Sequence, residues 1–172
     1  MILNKENFNR ITDKKVTFIK GFTHPTTEYD FNKISQLSND YSLLVHSFSI
    51  NPSETVVFKS TWQMRGVHNI ENYFFTFFDF FYKTFKYVPS VKDGVDLFFS
   101  FVTNVGESHE DNEDVFLIGL HGISTYRIIE TNQTYELESG DLLYIPKGIR
   151  HKPVSITPRI IASLGYYGER LK

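Results

Sequence analysis

The second half of the chain alternates short apolar runs with turn residues. Gly, Pro, Asn and Asp separate these runs at short and fairly regular intervals. Such spacing is typical of an antiparallel barrel or sandwich. The predicted strands cover residues 95–104, 115–120, 124–130, 134–137, 142–145, 152–156 and 160–166. We therefore expect a mainly β fold.

The first half predicts fewer strands and more helix. Its predicted elements are, in order, a polar lead-in over 1–12, a strand over 16–20, a helix from Thr26 or Thr27 to Ser38, and strands over 41–50 and 55–60. The last two strands are separated by Asn51-Pro52-Ser53, which is typical of a turn. They are therefore predicted to form a hairpin on one edge of the barrel.

Residues 69–87 are crowded with Phe and Tyr. Most of these aromatic residues recur at helical spacing: Tyr73, Phe74, Phe77, Phe78, Phe81 and Phe85. Asn69 is a suitable cap, and a helix here would pack across the outer sheet of the barrel. Phe75 and Tyr82 give it a second apolar side, which predicts a homodimer through this helix.

Composition narrows the classes of protein to consider. The 172 residues suit a single domain over 1–172, and 41% of them are hydrophobic, enough to build a core. The formal charge of −2 argues against a general nucleic-acid binder. With no cysteine, disulfides and thiolate metal sites are excluded. We see no signal peptide after Met1 and no apolar run of about 20 residues, so a cytoplasmic protein outside the membrane is expected.

His109 and Asp111 are candidate metal ligands. Alternate residues of an extended strand point to the same side, so these two side chains project together while Glu110 points away. His151 supplies a third ligand if the chain folds back. Two imidazoles and one carboxylate on one side of a metal leave positions open for substrate or oxygen, as in non-haem Fe(II) oxygenases.

The stretch around His151 follows the pattern G-x5-P-x-G-x2-H. Gly140 turns the chain into the apolar strand 142–145, and Pro146 ends strand pairing because it has no N–H to donate. Gly148 permits a tight bend before His151. This order of residues predicts that the histidine opens the next strand and faces the barrel interior.

These two motifs resemble those of the cupin superfamily, in particular its JmjC-type and cupin-like oxygenase branch. The His-x-Asp pair followed by Asp114-Val115-Phe116, and Gly-Asp-Leu-Leu-Tyr-Ile-Pro followed by His, carry the resemblance, which covers about residues 95–167. It implies a double-stranded β-helix, with one or two helices flanking it in the N-terminal half. It also implies Fe(II) held by His109, Asp111 and His151, with 2-oxoglutarate as co-substrate.

One position departs from the JmjC-type pattern. These enzymes usually carry a Lys or Arg on the strand after His-x-Asp, where it binds the distal carboxylate of 2-oxoglutarate, whereas this chain has Ser124. Arg159 is the substitute we favour, because other 2-oxoglutarate oxygenases carry their arginine on the later strand. Ser124 and Tyr126 are further candidates for binding the co-substrate. Arg127 is a weaker candidate, because its side chain points to the opposite face of the strand from Ser124 and Tyr126.

The function predicted from these residues is a non-haem Fe(II)- and 2-oxoglutarate-dependent dioxygenase, a hydroxylase acting on a small molecule or a peptide. Because Ser124 stands where a Lys or Arg is usual, the second alternative is a cupin metalloenzyme that does not use 2-oxoglutarate, such as a dioxygenase or an isomerase. A non-catalytic cupin that binds a small ligand is the third alternative. Asp114 is expected to hydrogen-bond a turn or a neighbouring strand rather than a metal, and Glu110 and Glu113 to be solvated at the mouth of the site.

Overall fold

A computed structural model describes residues 1–41, 45–48, 61–86, 94–101, 104–155 and 157–167. Within these ranges the helices all precede residue 94, and most strands follow it. The helices are α1 (Lys5–Thr12), α2 (Phe31–Tyr41) and α3 (Asn72–Phe85), with a short 3-10 turn over Val67–Asn69. The described residues thus contain three α-helices rather than the one or two expected.

The additional helix is α1, which lies in the segment predicted to be a loose lead-in. Asn4 caps it, because its side-chain oxygen accepts a hydrogen bond from the backbone N–H of Asn7 at 2.8 Å. Ile11 anchors the helix in the core, where it is fully buried. Phe8, whose ring stacks on Phe85, and Ile11 are the only apolar residues of this helix, and two apolar positions in a polar stretch give too weak a periodicity to predict a helix.

The strands form two antiparallel sheets. They are β1 (Thr17–Ile19), β2 (Val45–Phe48), β3 (Thr61–Met64), β4 (Gly94–Ser100), β5 (Asn104–Val105), β6 (Asp114–His121), β7 (Ser124–Ile128), β8 (Thr134–Leu137), β9 (Leu142–Ile145), β10 (His151–Ser155) and β11 (Arg159–Tyr166). Seven strands make one sheet in the order β1-β9-β6-β11-β4-β3-β2. The other four make the second sheet, in the order β5-β10-β7-β8. This arrangement confirms the predicted mainly β, jelly-roll architecture.

The seven-stranded sheet separates two apolar clusters. On its outer face, α3 packs against β6, with the ring centroids of Phe81 and Phe116 only 4.3 Å apart. On its inner face, Leu117 and Ile161 join Tyr126 of the four-stranded sheet in a second cluster. Side chains alternate between the two faces along β6 and β11. The outer face of the sheet is therefore covered by α3, and the inner face points toward the barrel interior.

Most predicted strands in the second half are confirmed. The bounds of β8 and β9 match the prediction. The single strand expected over 95–104 corresponds instead to β4 and the start of β5, which lie in different sheets, and the remaining strands differ from the prediction by a few residues. β2, which lies within the first strand of the predicted hairpin, pairs antiparallel with β3. The hairpin stays a prediction for its turn over 51–53 and its second strand. Residues 55–60, where that strand was expected, lie outside the described residues, and Tyr41 is helical rather than extended.

The aromatic helix is confirmed as α3, although Glu71 rather than Asn69 is its N-cap residue. Its buried side is formed by Phe74, Phe77, Phe81 and Phe85. Phe78 stacks near Tyr82, and both are only partly buried against the core, whereas Phe75 is 49% exposed. A homodimer through this helix stays a prediction, and Phe75 is the residue with most area left to bury. Among the described helices, none is long and apolar enough to cross a membrane.

Candidate metal centre

His109 and His151 are held side by side by the backbone. His109 lies outside the regular strands, in an isolated antiparallel bridge with the first residue of β10. Each of the two residues donates its N–H to the carbonyl oxygen of the other, both at 2.9 Å. Their ring centroids are 4.4 Å apart. The chain therefore folds back as the sequence required for a shared site.

Asp111 completes the group. Its Oδ1 lies 3.8 Å from Nε2 of His109, and its Oδ2 lies 3.5 Å from Nε2 of His151. The three candidate ligand atoms all lie within 4.8 Å of one another. Gly148, at a φ of 79° that favours glycine, donates its N–H to the carbonyl oxygen of Asp111 at 3.0 Å. The bend predicted before His151 thus also fixes the loop that carries the carboxylate.

Backbone carbonyl oxygens orient both imidazoles. Nδ1 of His109 lies 3.1 Å from the carbonyl oxygen of Glu107, and Nδ1 of His151 lies 3.0 Å from that of Ile149. A carbonyl oxygen only accepts, so Nδ1 of each neutral ring carries the proton. The lone pair is then on Nε2, which is the atom turned toward Asp111 in both rings. Metal-binding histidines use such partners to fix the tautomer and the ring orientation.

His151 is suited to bind a cation while neutral. It is only 3% exposed, and burial lowers its pKa because the charged imidazolium is poorly solvated there. The hydrogen bond to Ile149 and the carboxylate of Asp111 act in the opposite direction but are smaller effects. A neutral ring offers its lone pair without first losing a proton.

The three residues line a cavity of about 1250 Å³ between the sheets. Arg159, the first residue of β11, reaches the same cavity and is 4% exposed. Its Nη2 lies 3.5 Å from Oγ1 of Thr61, and its Nε has no hydrogen-bond partner among the described residues. A buried guanidinium that interacts with the hydroxyl of Tyr126 and whose Nε has no acceptor among the described residues is suited to bind an anion.

Tyr126 and Ser124 differ in their relation to this cavity. Tyr126 lines it, and burial raises the pKa of its hydroxyl, although the positive charge of Arg159 acts in the opposite direction. Ser124 is also buried, but it is not among the residues that line the cavity, and its Oγ has no partner among the described residues. Arg127 is exposed on the other side of β7 and donates to Asn132. Of the candidates for co-substrate binding, Arg159 and Tyr126 share the cavity with the metal residues.

Two glutamates were expected to be solvated at the mouth of the site. Glu110 is exposed and pairs with Arg150 at 3.0 Å. Glu113 is half-buried in the cavity wall and accepts a hydrogen bond from the hydroxyl of Tyr167 at 3.0 Å. Burial raises the pKa of Glu113 and, together with this carboxyl, raises the pKa of Tyr167 to about 12. Asp114 bonds a turn, as expected, through the backbone N–H of Lys147.

Sequence reasoning missed the cavity wall formed by β3 and β4. Gln63 donates to Oδ2 of Asp96 at 2.6 Å, and Oδ1 of the same carboxylate accepts from the backbone N–H of Gly66 at 3.0 Å. Both side chains line the cavity. They come from strands with no recognisable motif, and only the pairing of β3 with β4 and of β4 with β11 brings them to the site.

Comparison with known proteins finds solved structures of similar fold. No protein-family model and no curated protein sequence matches the chain. An X-ray structure of YcfD from Escherichia coli is 18% identical, with a TM-score of 0.71 over 95% of this chain and 53% of that one. YcfD described as a ribosomal oxygenase in complex with cobalt and 2-oxoglutarate is 19% identical, with a TM-score of 0.69 over 95% and 51%. Its complex with cobalt and succinic acid is 17% identical, with a TM-score of 0.68 over 92% and 50%.

The chain shares the fold of YcfD. The likeness confirms the β-helix fold that the two sequence motifs implied, and at this level of identity it concerns the fold alone. The chain spans about half the length of the YcfD structures it matches. In this chain, His109, Asp111 and His151 form a group that could hold a metal ion.

Proposed function

We propose that this protein is a non-haem Fe(II)- and 2-oxoglutarate-dependent oxygenase, and that it hydroxylates its substrate. The observation that carries the proposal is the convergence of His109, Asp111 and His151, whose candidate ligand atoms lie within 4.8 Å of one another in a cavity wall. Two imidazole nitrogens and one carboxylate on one side of a metal are the donor set of this enzyme class. The fold shared with a ribosomal oxygenase supports the same conclusion.

The three residues would hold Fe(II) without large rearrangement. Both Nε2 atoms already face Asp111, and the carbonyl oxygens behind the rings fix their tautomers. When bound, Fe(II) supplies oxygen activation coupled to the decarboxylation of 2-oxoglutarate to succinate. The role of the protein residues is to position the ligands and to exclude water.

Arg159 would bind the distal carboxylate of 2-oxoglutarate. Its guanidinium is buried in the cavity and its Nε has no acceptor among the described residues, so an incoming carboxylate would gain a charge-assisted hydrogen bond. The raised pKa of Tyr126 keeps its hydroxyl protonated and able to donate to the same anion. Ser124 lies outside the cavity lining, so we assign the charge that JmjC-type enzymes place at that position to Arg159 instead.

The cavity leaves room for a second molecule. Its volume of about 1250 Å³ exceeds the roughly 300–1000 Å³ of ordinary ligand pockets. Apolar side chains form part of its wall, namely Phe98, Val115, Leu117 and Ile161. The prime substrate would therefore be a small molecule or a peptide side chain that enters beside the co-substrate and displaces water from these surfaces.

Ser124 also supports a second candidate function, a cupin metalloenzyme that does not use 2-oxoglutarate. In that case the buried Arg159 would bind an anionic substrate directly. A cupin that only holds a small ligand would keep the same cavity but would need no metal.

Succinate formation separates these functions. The purified protein would be loaded anaerobically with Fe(II), given 2-oxoglutarate and oxygen, and assayed for succinate. We expect succinate that depends on the metal and is lost in Asp111→Ala. A protein that binds Fe(II) but has no affinity for millimolar 2-oxoglutarate would support the second function, and one that binds no metal would support the third.

A further inference from the structure

Asp114 joins the two segments that carry the metal residues. It is the first residue of β6 and is 3% exposed. Its Oδ1 accepts a hydrogen bond from the backbone N–H of Lys147 at 3.1 Å. The next residue, Gly148, donates its own N–H to the carbonyl oxygen of Asp111 at 3.0 Å. The turn before His151 is thus fixed at two successive amides by the loop that holds Asp111.

The other oxygen of this carboxylate is paired with a residue far away in the sequence. Oδ2 of Asp114 accepts a short charge-assisted hydrogen bond from Nζ of Lys14. Lys14 follows α1, outside the part of the chain that carries the two metal motifs. The lysine side chain is 52% exposed while the carboxylate is 3% exposed, so the lysine brings its charge from the surface to a buried anion.

Lys14 adopts a backbone conformation that favours glycine. Its φ is 57°, in the left-handed region, and its N–H donates to the carbonyl oxygen of Ile11 at 3.1 Å. Glycine is the usual residue after a helix at such a position, because it has no Cβ to strain. Lys14 adopts this conformation despite the strain on its Cβ. Its ion pair with Asp114 explains why a lysine, rather than a glycine, stands here.

We propose that Lys14 is a positioning residue for the metal centre, acting through Asp114 on the turn that precedes His151. The inference rests on the proposed function insofar as that function makes this centre a metal site. Loss of the ammonium group would remove a positive charge from beside the buried carboxylate of Asp114 and weaken its hold on the amide of Lys147. The turn before His151 would then loosen, the hydrogen bond from Gly148 to Asp111 would weaken with it, and the two ligand-bearing segments would lose their register.

The first test replaces Lys14 by the residue that its backbone prefers. Co(II) binding would be followed by its visible absorption in the wild type, Lys14→Gly, Lys14→Arg and Lys15→Ala. We expect Lys14→Gly to weaken Co(II) binding about tenfold, the lower end of the range for partners behind metal ligands. Lys14→Arg should restore most of the affinity. Lys15→Ala breaks an exposed pair with Asp13 and should bind as the wild type does. Equal affinity in Lys14→Gly and wild type would overturn the inference.

The second test uses the metal-free protein, so that it does not depend on metal binding. Hydrogen exchange would be measured at the amides of Lys147 and Gly148. In Lys14→Gly we expect both amides to lose protection, while the amide of Gly106, which donates to Pro153 on the far side of the loop, keeps it. Unchanged protection at Lys147 would refute the role of Lys14 even if the protein binds metal. The wild type could instead bind no Co(II) while the amides of Lys147 and Gly148 still lose protection in Lys14→Gly. The proposed function would then fail, and the role of Lys14 in holding the turn would stand.

Asp114→Asn gives a further check, because the asparagine keeps an acceptor for Lys147 but removes the charge. In this background Lys14→Gly should cause no additional loss of Co(II) affinity, since the pair is already broken. Additive losses would show that Lys14 acts by another route and would contradict the inference.

Discussion

His109 and His151 exchange two backbone hydrogen bonds, each of 2.9 Å, so the spacing of their imidazoles is set by the main chain. Their Nδ1 atoms each face a backbone carbonyl oxygen as well. The imidazoles that face the metal position are thereby oriented by backbone groups. Preorganisation of this kind reduces the cost of gathering ligands around an ion.

Arg159 is predicted to control affinity for 2-oxoglutarate and not for the metal. Arg159→Ala should weaken 2-oxoglutarate binding by about 10²-fold, because truncating one partner of a buried charge pair costs several kcal/mol. Fe(II) affinity should stay within about twofold, since the residue is not a ligand. Arg127→Ala is the matched control, because Arg127 is exposed and bonds Asn132. Titration with 2-oxoglutarate in the presence of Fe(II) measures both; unchanged affinity in Arg159→Ala would assign the carboxylate to another residue.

Two phenylalanines of α3 should differ greatly in their effect on stability. Phe81→Ala should reduce the free energy of unfolding by about 3–5 kcal/mol, because the ring is fully buried between α3 and Phe116. Phe75→Ala, on the same helix but 49% exposed, should change it by no more than about 0.5 kcal/mol. Denaturation with urea measures both. Equal effects would mean that α3 does not pack on β6 as described.

The predicted homodimer through α3 has its own test. If Phe75 lies at the interface, Phe75→Glu should convert the dimer into a monomer, because an exposed charge would replace apolar contact area. Sedimentation velocity at several protein concentrations measures this. A wild-type protein that stays monomeric at high concentration would contradict the predicted homodimer.

His151 should make the stability of the metal-free protein depend on pH. Its pKa in the folded protein lies below the unfolded value of about 6.5, so the unfolded chain binds more protons as pH falls through this value. The stabilisation is therefore complete above about pH 6.5 and is lost progressively as pH falls toward the folded pKa. His151→Gln cannot take up a proton and should lose this part of the acid destabilisation. Melting temperatures of the two proteins between pH 5 and 8 measure the difference; parallel curves would contradict a buried neutral imidazole.

The sequence predicted the strands of the second half well because local signals and tertiary structure agree there. Pro146 and Gly148 stop and bend the chain whatever surrounds them, and the apolar run Leu142–Ile145 has a place in a sheet buried on both faces. The His-x-Asp pair and His151 were identified from the same segment. Their convergence depends on a backbone bridge that no local pattern encodes, but the family resemblance implied it.

The first half was harder to predict because its elements are defined by contacts made far along the chain. α1 depends on the burial of Ile11, and α2 begins at Phe31, later than its predicted cap at Thr26 or Thr27. Gln63 and Asp96 reach the cavity only through strand pairing. Lys14 carries no signal in the sequence, since its role arises from an ion pair with a residue 100 positions away. Ser124 was misleading because strand parity gives its face but not its distance from the cavity.

The measurement that tests the metal centre most directly is anaerobic calorimetric titration of Fe(II) into the wild type and into His109→Ala, Asp111→Ala, His151→Ala and His121→Ala. His121 is an exposed histidine that contacts Phe31 away from the cavity, so it controls for loss of an imidazole. We predict one Fe(II) per chain in the wild type and in His121→Ala, and loss of this site in each of the other three. Full binding by His151→Ala, or loss of binding in His121→Ala alone, would contradict the site described.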